Sequence, residues 1–315
     1  MRFLKRKIVL LVVGVFLVSG PDEKGSKSSK FTPEGIRCVM AVAQQTILPY
    51  ESIGVLIRLR NETAGLKRVV AAWRVSLGIG EITAEGVRWY GYDPDAEPIP
   101  GPPEPTAIEL GPGESRTWIA HLDYHHPGRH VFEHPGRYKI KGALGYQIKG
   151  RENGYFESEA IEIRVREPQG ADAQAYEFLR RTELHKFLSE RTVHKYPYDH
   201  HVMESLEAFV MAFERSRYSE LAQLGLALMW MHGVEGRRDL TKAQGLLTEL
   251  SQRTRGAMAA RVYYYLGEVA KQQGELIQAE QYYERALSLK IDPYFQYLVE
   301  KAQAKLELRR SPSKR

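Results

Sequence analysis

Along this chain the apolar residues keep two different rhythms. From Phe31 to Arg166 they fall at every second position in short runs. Val55, Ile57 and Leu59 alternate with Arg58 and Arg60, and Ile161, Ile163 and Val165 with Glu162, Arg164 and Arg166. Such alternation turns one side chain in two toward a core, which describes half-buried antiparallel strands. Strands are predicted over Arg37–Ala43, Ile53–Arg60, Arg68–Ser76, Val87–Gly91, Thr106–Leu110, Arg116–His121, Gly136–Tyr146 and Phe156–Arg166. Their number and spacing suit a β-sandwich. Asp93–Pro105 contains six prolines and cannot lie inside a sheet, so a long surface loop is expected there.

After Glu167–Gly170 the apolar residues move to helical spacing and proline becomes rare. Helices are predicted over Ala171–Ser189, His201–Phe213, Ser219–Met231, Leu240–Arg253, Ala257–Gln273, Glu275–Leu289 and Pro293–Leu308. Short connections such as Gly274 make neighbours antiparallel hairpins. A third pattern precedes both. Arg2, Lys5, Arg6 and Lys7 lead into the apolar run Ile8–Val18, followed by Ser19 and Gly20. That order predicts a secretory signal, and the run is shorter than the ~20 apolar residues that span a bilayer. Pro21 disfavours cleavage after Gly20, so residues 1–20 read as a signal peptide or an uncleaved inner-membrane anchor. Residues 21–30 (PDEKGSKSSK) read as a flexible tether.

Three segments of the alternating region, LPYESIGVLIRLRNET (Leu48–Thr63), HPGRYKIKGAL (His134–Leu144) and IEIRVREP (Ile161–Pro168), together resemble an extracytoplasmic bacterial immunoglobulin-like domain. The resemblance places Tyr138 at the start of a strand, where a tyrosine corner is common. In the helical region, Ala260–Pro293 resembles a tetratricopeptide repeat, with Leu266, Gly267, Gly274, Ala279, Tyr283 and Ala286 at the family's offsets. Ala270 replaces a bulkier residue and Pro293 stands two positions late. Leu221–Leu250 is similar to the Sel1-type variant, through Leu224-Gly225, Gly233-Val234, Asp239 and Lys242-Ala243. The expected fold is therefore two-domain: an all-β, immunoglobulin-like sandwich over 31–168, then an all-α tetratricopeptide-like solenoid over 169–308, with 309–315 as a disordered basic tail.

Composition alters this picture in one respect. The 315 residues are 43% hydrophobic and 27% charged, as in a globular chain. The formal charge of +6 invites an anionic partner, but four of those charges belong to residues 1–20, and without them the chain carries +2. Nucleic-acid binding is not expected. A single cysteine, Cys38, excludes an internal disulfide and reads as a small buried hydrophobe.

Candidate chemistry is sparse. His121, His125, His126, His130 and His134 crowd one segment, yet Pro127-Gly128 and Pro135-Gly136 break the helix that HxxxH ligation needs, so a polar turn is expected rather than a metal site. Gly78 and Gly80 lack the following helix of a phosphate loop. Trp73, Trp89 and Trp118 read as a sugar-stacking platform or, more simply, as core. Asn61-Glu62-Thr63 is a glycosylation sequon. No catalytic residue, cofactor or metal is assigned. The tetratricopeptide resemblance implies a concave groove for a protein or peptide partner, lined by Arg261, Tyr264, Glu268, Lys271 and Gln272. The same offsets in the divergent unit give Leu226, Met229 and Trp230, whose periodicity serves a groove lining and a covered core equally well. The function expected is non-enzymatic partner binding by an extracytoplasmic scaffold. The alternative is an envelope hydrolase or carbohydrate-binding protein that uses the sandwich, with the helices as an oligomerisation arm.

Overall fold

The computed structural model describes residues 35–71, 75–92, 106–125, 129–147, 153–189, 200–233, 238–289 and 292–310. Residues 1–20, the tether 21–30, Asp93–Pro105 and the last five residues lie outside them.

Described strands are β1 (Ile36–Val42), β2 (Thr46–Ile47), β3 (Ile53–Asn61), β4 (Lys67–Ala71), β5 (Val75–Thr83), β6 (Gly86–Tyr92), β7 (Thr106–Leu110), β8 (Ser115–Leu122), β9 (Tyr124–His125), β10 (Arg129–His130), β11 (Gly136–Gln147), β12 (Asn153–Glu157) and β13 (Ile161–Val165). One sheet runs β1-β3-β8, and a larger one runs β2-β13-β11-β5-β6 with β12 on β11. Alternation decides which face is buried. Ile36, Cys38, Met40 and Val42 of β1 and Ile53, Val55, Ile57 and Leu59 of β3 turn inward to meet Ile79, Ile140, Leu144 and Ile163 from the larger sheet. Cys38 sits in this core, where burial pushes its thiol up to about 12. Tyr138 is buried as well, and its hydroxyl donates to the carbonyl of His134 at 3.0 Å. The sequon does not offer an accessible amide. Asn61 is buried, its Nδ2 donates to the carbonyls of Gly65, Leu110 and Gly111, and its Oδ1 accepts from Thr63.

Helices follow as α1 (Ala171–Arg180), a 3₁₀ turn (Leu184–Leu188), α2 (His200–Ala212), α3 (Arg217–His232), α4 (Leu240–Arg253), α5 (Gly256–Gln273), α6 (Leu276–Ser288) and α7 (Pro293–Arg310). Their starts follow local chemistry. Ser216 and Asp239 cap α3 and α4 by accepting from Tyr218 N and Lys242 N, and Asp292 accepts from Phe295 N just ahead of α7. Small residues set the close packing of α5 on α6. A methyl group placed on Gly267 would lie 2.4 Å from the ring of Tyr283, whose hydroxyl is tied to Glu268 at 2.6 Å and so resists moving aside. Gly267→Ala is expected to cost about 1–3 kcal/mol, read as a lower urea midpoint at unchanged slope.

The expected division into a separate all-β sandwich and a separate all-α solenoid does not hold, because strands and helices share their cores and form one α+β body. Leu48 and Tyr50, from the segment between β2 and β3, belong to the same apolar cluster as Tyr176, Leu206 and Leu221. At the far end of the chain, Tyr294 and Phe295 of α7 pack with Leu56 on the outer face of the three-stranded sheet. Gly54 makes that seat, since a Cβ there would lie 2.4 Å from the Tyr294 ring. The larger sheet is also not purely antiparallel, because β2 pairs with β13 in parallel. Periodicity marks which face of an element is apolar but not what covers it, so two domains were expected where the outer face of one sheet is covered by a helix.

Candidate functional site

The eight residues assigned to a groove fall in two different settings. On α5, Arg261 is 9% exposed and its guanidinium lies 4.8 Å over the ring of Phe295. Tyr264 is half-buried among Tyr265, Tyr283 and Phe295. Glu268 and Lys271 pair with each other at 2.5 Å, and Gln272 is exposed. On α3, Leu226 and Met229 are buried in the larger helical core and line no open surface, and Trp230 is half-buried under Lys242 Nζ at 4.1 Å. Residues of α2 and of the 3₁₀ turn pack with α3 in that same core. The α7 end covers Arg261.

Two polar clusters, both missed in the sequence, occupy the junction of sheet and helices. In the first, Glu51 is buried, pairs with Arg217 at 2.5 Å and accepts from Gln44 at 3.2 Å. Burial raises its carboxyl above the ordinary range, and the Arg217 charge opposes that shift. Asp172 of α1 accepts from Ser216 Oγ at 2.8 Å and from Arg217 N at 2.7 Å, which orders the start of α3. The second holds Asp123, His130 and Ser189, all buried. Ser189 Oγ donates to Asp123 Oδ2 at 2.9 Å, while His130 Nδ1 accepts from Phe132 N at 3.1 Å. Serine, carboxylate and imidazole are thus neighbours, but the serine proton points at the acid rather than at a base. That is the wrong connectivity for a nucleophile. Burial holds His130 neutral, lowering it to about 3. Tyr50, at φ 63°, stacks on His185 at 4.6 Å and meets His130 edge-on. The second cluster is a buried polar plug. Only the first has a local sequence signal, the acid Glu51 just ahead of the apolar stretch that begins at Ile53.

The remaining histidines disperse. His121 bonds through Nε2 to the hydroxyl of Tyr294, His134 is exposed, and His126 lies outside the described residues. Among the described residues no three His, Cys, Asp or Glu side chains gather as metal ligands. Of the tryptophans, Trp118 packs against the strand core, Trp73 is outside the described residues, and Trp89 is 44% exposed on β6.

An open apolar groove of 730 Å³ lies between α1, the 3₁₀ turn and α2. Phe178, Phe209 and Phe213 form one wall, with ring centroids 4.9–5.7 Å apart. Ser205, Ala208 and Ala212 give the α2 side a low floor, and Glu183 stands at the rim. Phe178 is 40% exposed. Among the described residues no helix is long and apolar enough to cross a membrane.

No family model and no curated protein matches the chain. Solved structures align to parts of it. The Pseudomonas fluorescens alkylpurine DNA glycosylase AlkC, bound to DNA with an abasic-site analogue, matches at 14% identity over 42% of this chain and 31% of its own, TM-score 0.26. The C-terminal domain of wzt matches at 14% identity over 44% and 83%, TM-score 0.29. The sporulation control protein Spo0M of Bacillus subtilis matches at 10% identity over 47% and 55%, TM-score 0.26. The chain thus spans less than two thirds of the glycosylase and of Spo0M.

Proposed function

We propose that this chain is a non-catalytic adaptor that holds an amphipathic helix of a protein partner in the groove between α1 and α2. The aromatic groove itself carries the reading. Its apolar wall ends in a half-exposed phenylalanine, and its small-residue floor lets another helix approach at the usual ~8–10 Å between axes. The small-residue offsets resembling tetratricopeptide repeats support the same role for the helical half. The basic and apolar order of residues 1–20 supports a place outside the cytoplasm.

A photo-cross-linker at Ser205 in the full chain tests the proposal. The expected result is one protein joined through an amphipathic helix. Phe178→Glu should reduce that product about tenfold or more, as for an aromatic anchor, while Ile277→Glu at a distant exposed site should not. Equal capture by the Phe178→Glu chain would place the partner elsewhere.

A further inference from the structure

Going beyond the adaptor reading, we infer that the outer face of the larger sheet, around Trp89, binds a chain of acidic pyranose sugars. Trp89 pairs with Gly80 across β6 and β5, and Gly91 with Gly78. Its six-membered ring lies over these glycines. A Cβ on Gly80 would come within 3.0 Å of the indole, and one on Gly78 within 3.6 Å. The indole thus rests over the glycine backbone beside Val87, with Trp89 44% exposed to solvent. That flat, rigid surface suits the C–H face of a pyranose ring, and an aromatic held this way loses little entropy on contact.

The surroundings select the sugar. Lys139 stands opposite Gly80 and Lys141 opposite Gly78 on β11, two strand spacings or ~10 Å from Trp89, about the reach of one or two sugar units. Lys141 is paired with Glu157 at 2.7 Å. Glu162, the cross-strand neighbour of Lys139, is occupied by both ends of Arg137. The charge of Lys139 bears on Glu162, but among the described residues no salt bridge holds it within 4 Å, so its ammonium can turn to a ligand carboxylate. Arg137, Lys139, Lys141 and Arg164 against Glu157 and Glu162 leave the face positive. Among the described side chains of this face Trp89 is the exposed aromatic, set inside a charged rim, and a polyhydroxylated anion matches both features.

Native affinity electrophoresis of the full chain tests this, with polygalacturonate, alginate or hyaluronate cast in the gel and neutral galactan as comparison. At least one acidic polymer should retard the wild-type chain at low salt, and galactan much less. Trp89→Ala should weaken retardation about tenfold or more, Trp89→Tyr should restore most of it, and Lys139→Ala should reduce it and flatten its salt dependence. Thermal unfolding of each variant should match wild type, because these side chains lie outside the core. Phe178→Glu should bind polymer normally, which separates this site from the protein groove. The inference is overturned by no retardation on all three acidic polymers, by retardation that survives Trp89→Ala, or by equal retardation on galactan. It is also overturned if Trp89→Ala abolishes only the protein cross-link at Ser205, which would make the face a protein contact.

Discussion

Tyr294→Ala is expected to destabilise the protein by about 3–5 kcal/mol and to separate the unfolding of its helices from that of its strands. The ring is buried, fills the space that Gly54 leaves open, and ends in a hydrogen bond to His121. Together with Phe295 and Leu56 it fastens α7 to the three-stranded sheet. In a Trp230→Phe background, where the remaining tryptophans belong to the strand region, helix ellipticity and tryptophan fluorescence should share one urea midpoint with Tyr294 present and diverge in the variant. Gly54→Ala attacks the same contact from the other side and should cost about 1–3 kcal/mol alone. Added to Tyr294→Ala it should cost almost nothing, because the ring it would strike is gone. Additive costs would show that Gly54 and Tyr294 do not act through one contact.

The second large effect is in the pH dependence of stability, where two buried groups work in opposite directions. His130 is lowered by burial to about 3, with the Asp123 charge opposing and the His185 charge assisting. Its unfolded counterpart takes a proton below ~6.5, so its contribution is present above that pH and is lost as pH falls toward 3. The slope approaches about 1.4 kcal/mol per pH unit. Glu51 is raised by burial against the pull of Arg217. Its contribution is full below the unfolded carboxyl value near 4.5 and is lost as pH rises through the folded value. Half-buried Glu220 and Asp292 are raised by burial too and add to the Glu51 direction. Above ~4.5 the two directions oppose each other, so wild-type stability should fall toward acid less steeply than His130 alone would make it. Glu51→Gln should steepen the loss toward acid. His130→Gln, which keeps an acceptor for Phe132 N, should remove that loss. Urea midpoints at pH 4.5, 5.5 and 6.5 measure both, and an acid slope untouched by His130→Gln would refute the assignment.

Where one face of an element is apolar and the other charged, its limits were legible from the chain. β3 was expected over Ile53–Arg60 and spans Ile53–Asn61, and α4 runs over Leu240–Arg253 as drawn. The failures have physical causes. In β5 the outward positions are Gly78 and Gly80, so the strand lacks the polar half of its alternation and the pattern predicts no strand over 77–83. The spacing predicts one long helix over Ala171–Ser189, but α1 stops at Arg180 and a 3₁₀ turn follows, and both bury their apolar residues in one core. The groove assignment met the limit of periodicity itself. Leu226 and Met229 repeat as a lining would, but they are core, because partners distant in sequence cover them. Nothing local could announce the plug of Asp123, His130 and Ser189, whose members come together only when sheet and helices dock. Trp89 was named among the tryptophans, but its exposure depends on which strand borders it.

The seat of α7 on the sheet also sets an order of events during synthesis. His121 and Tyr294 are 173 residues apart, so at ~5–20 residues per second the strands wait roughly 10–35 s for the helix that covers them. Through that interval Leu56 and its neighbours form a greasy patch on a newborn sheet whose edge strands can recruit other chains. The hazard lies in the nascent chain rather than in the finished protein. A ribosome that stalls before codon 294 would release a species far stickier than its length suggests.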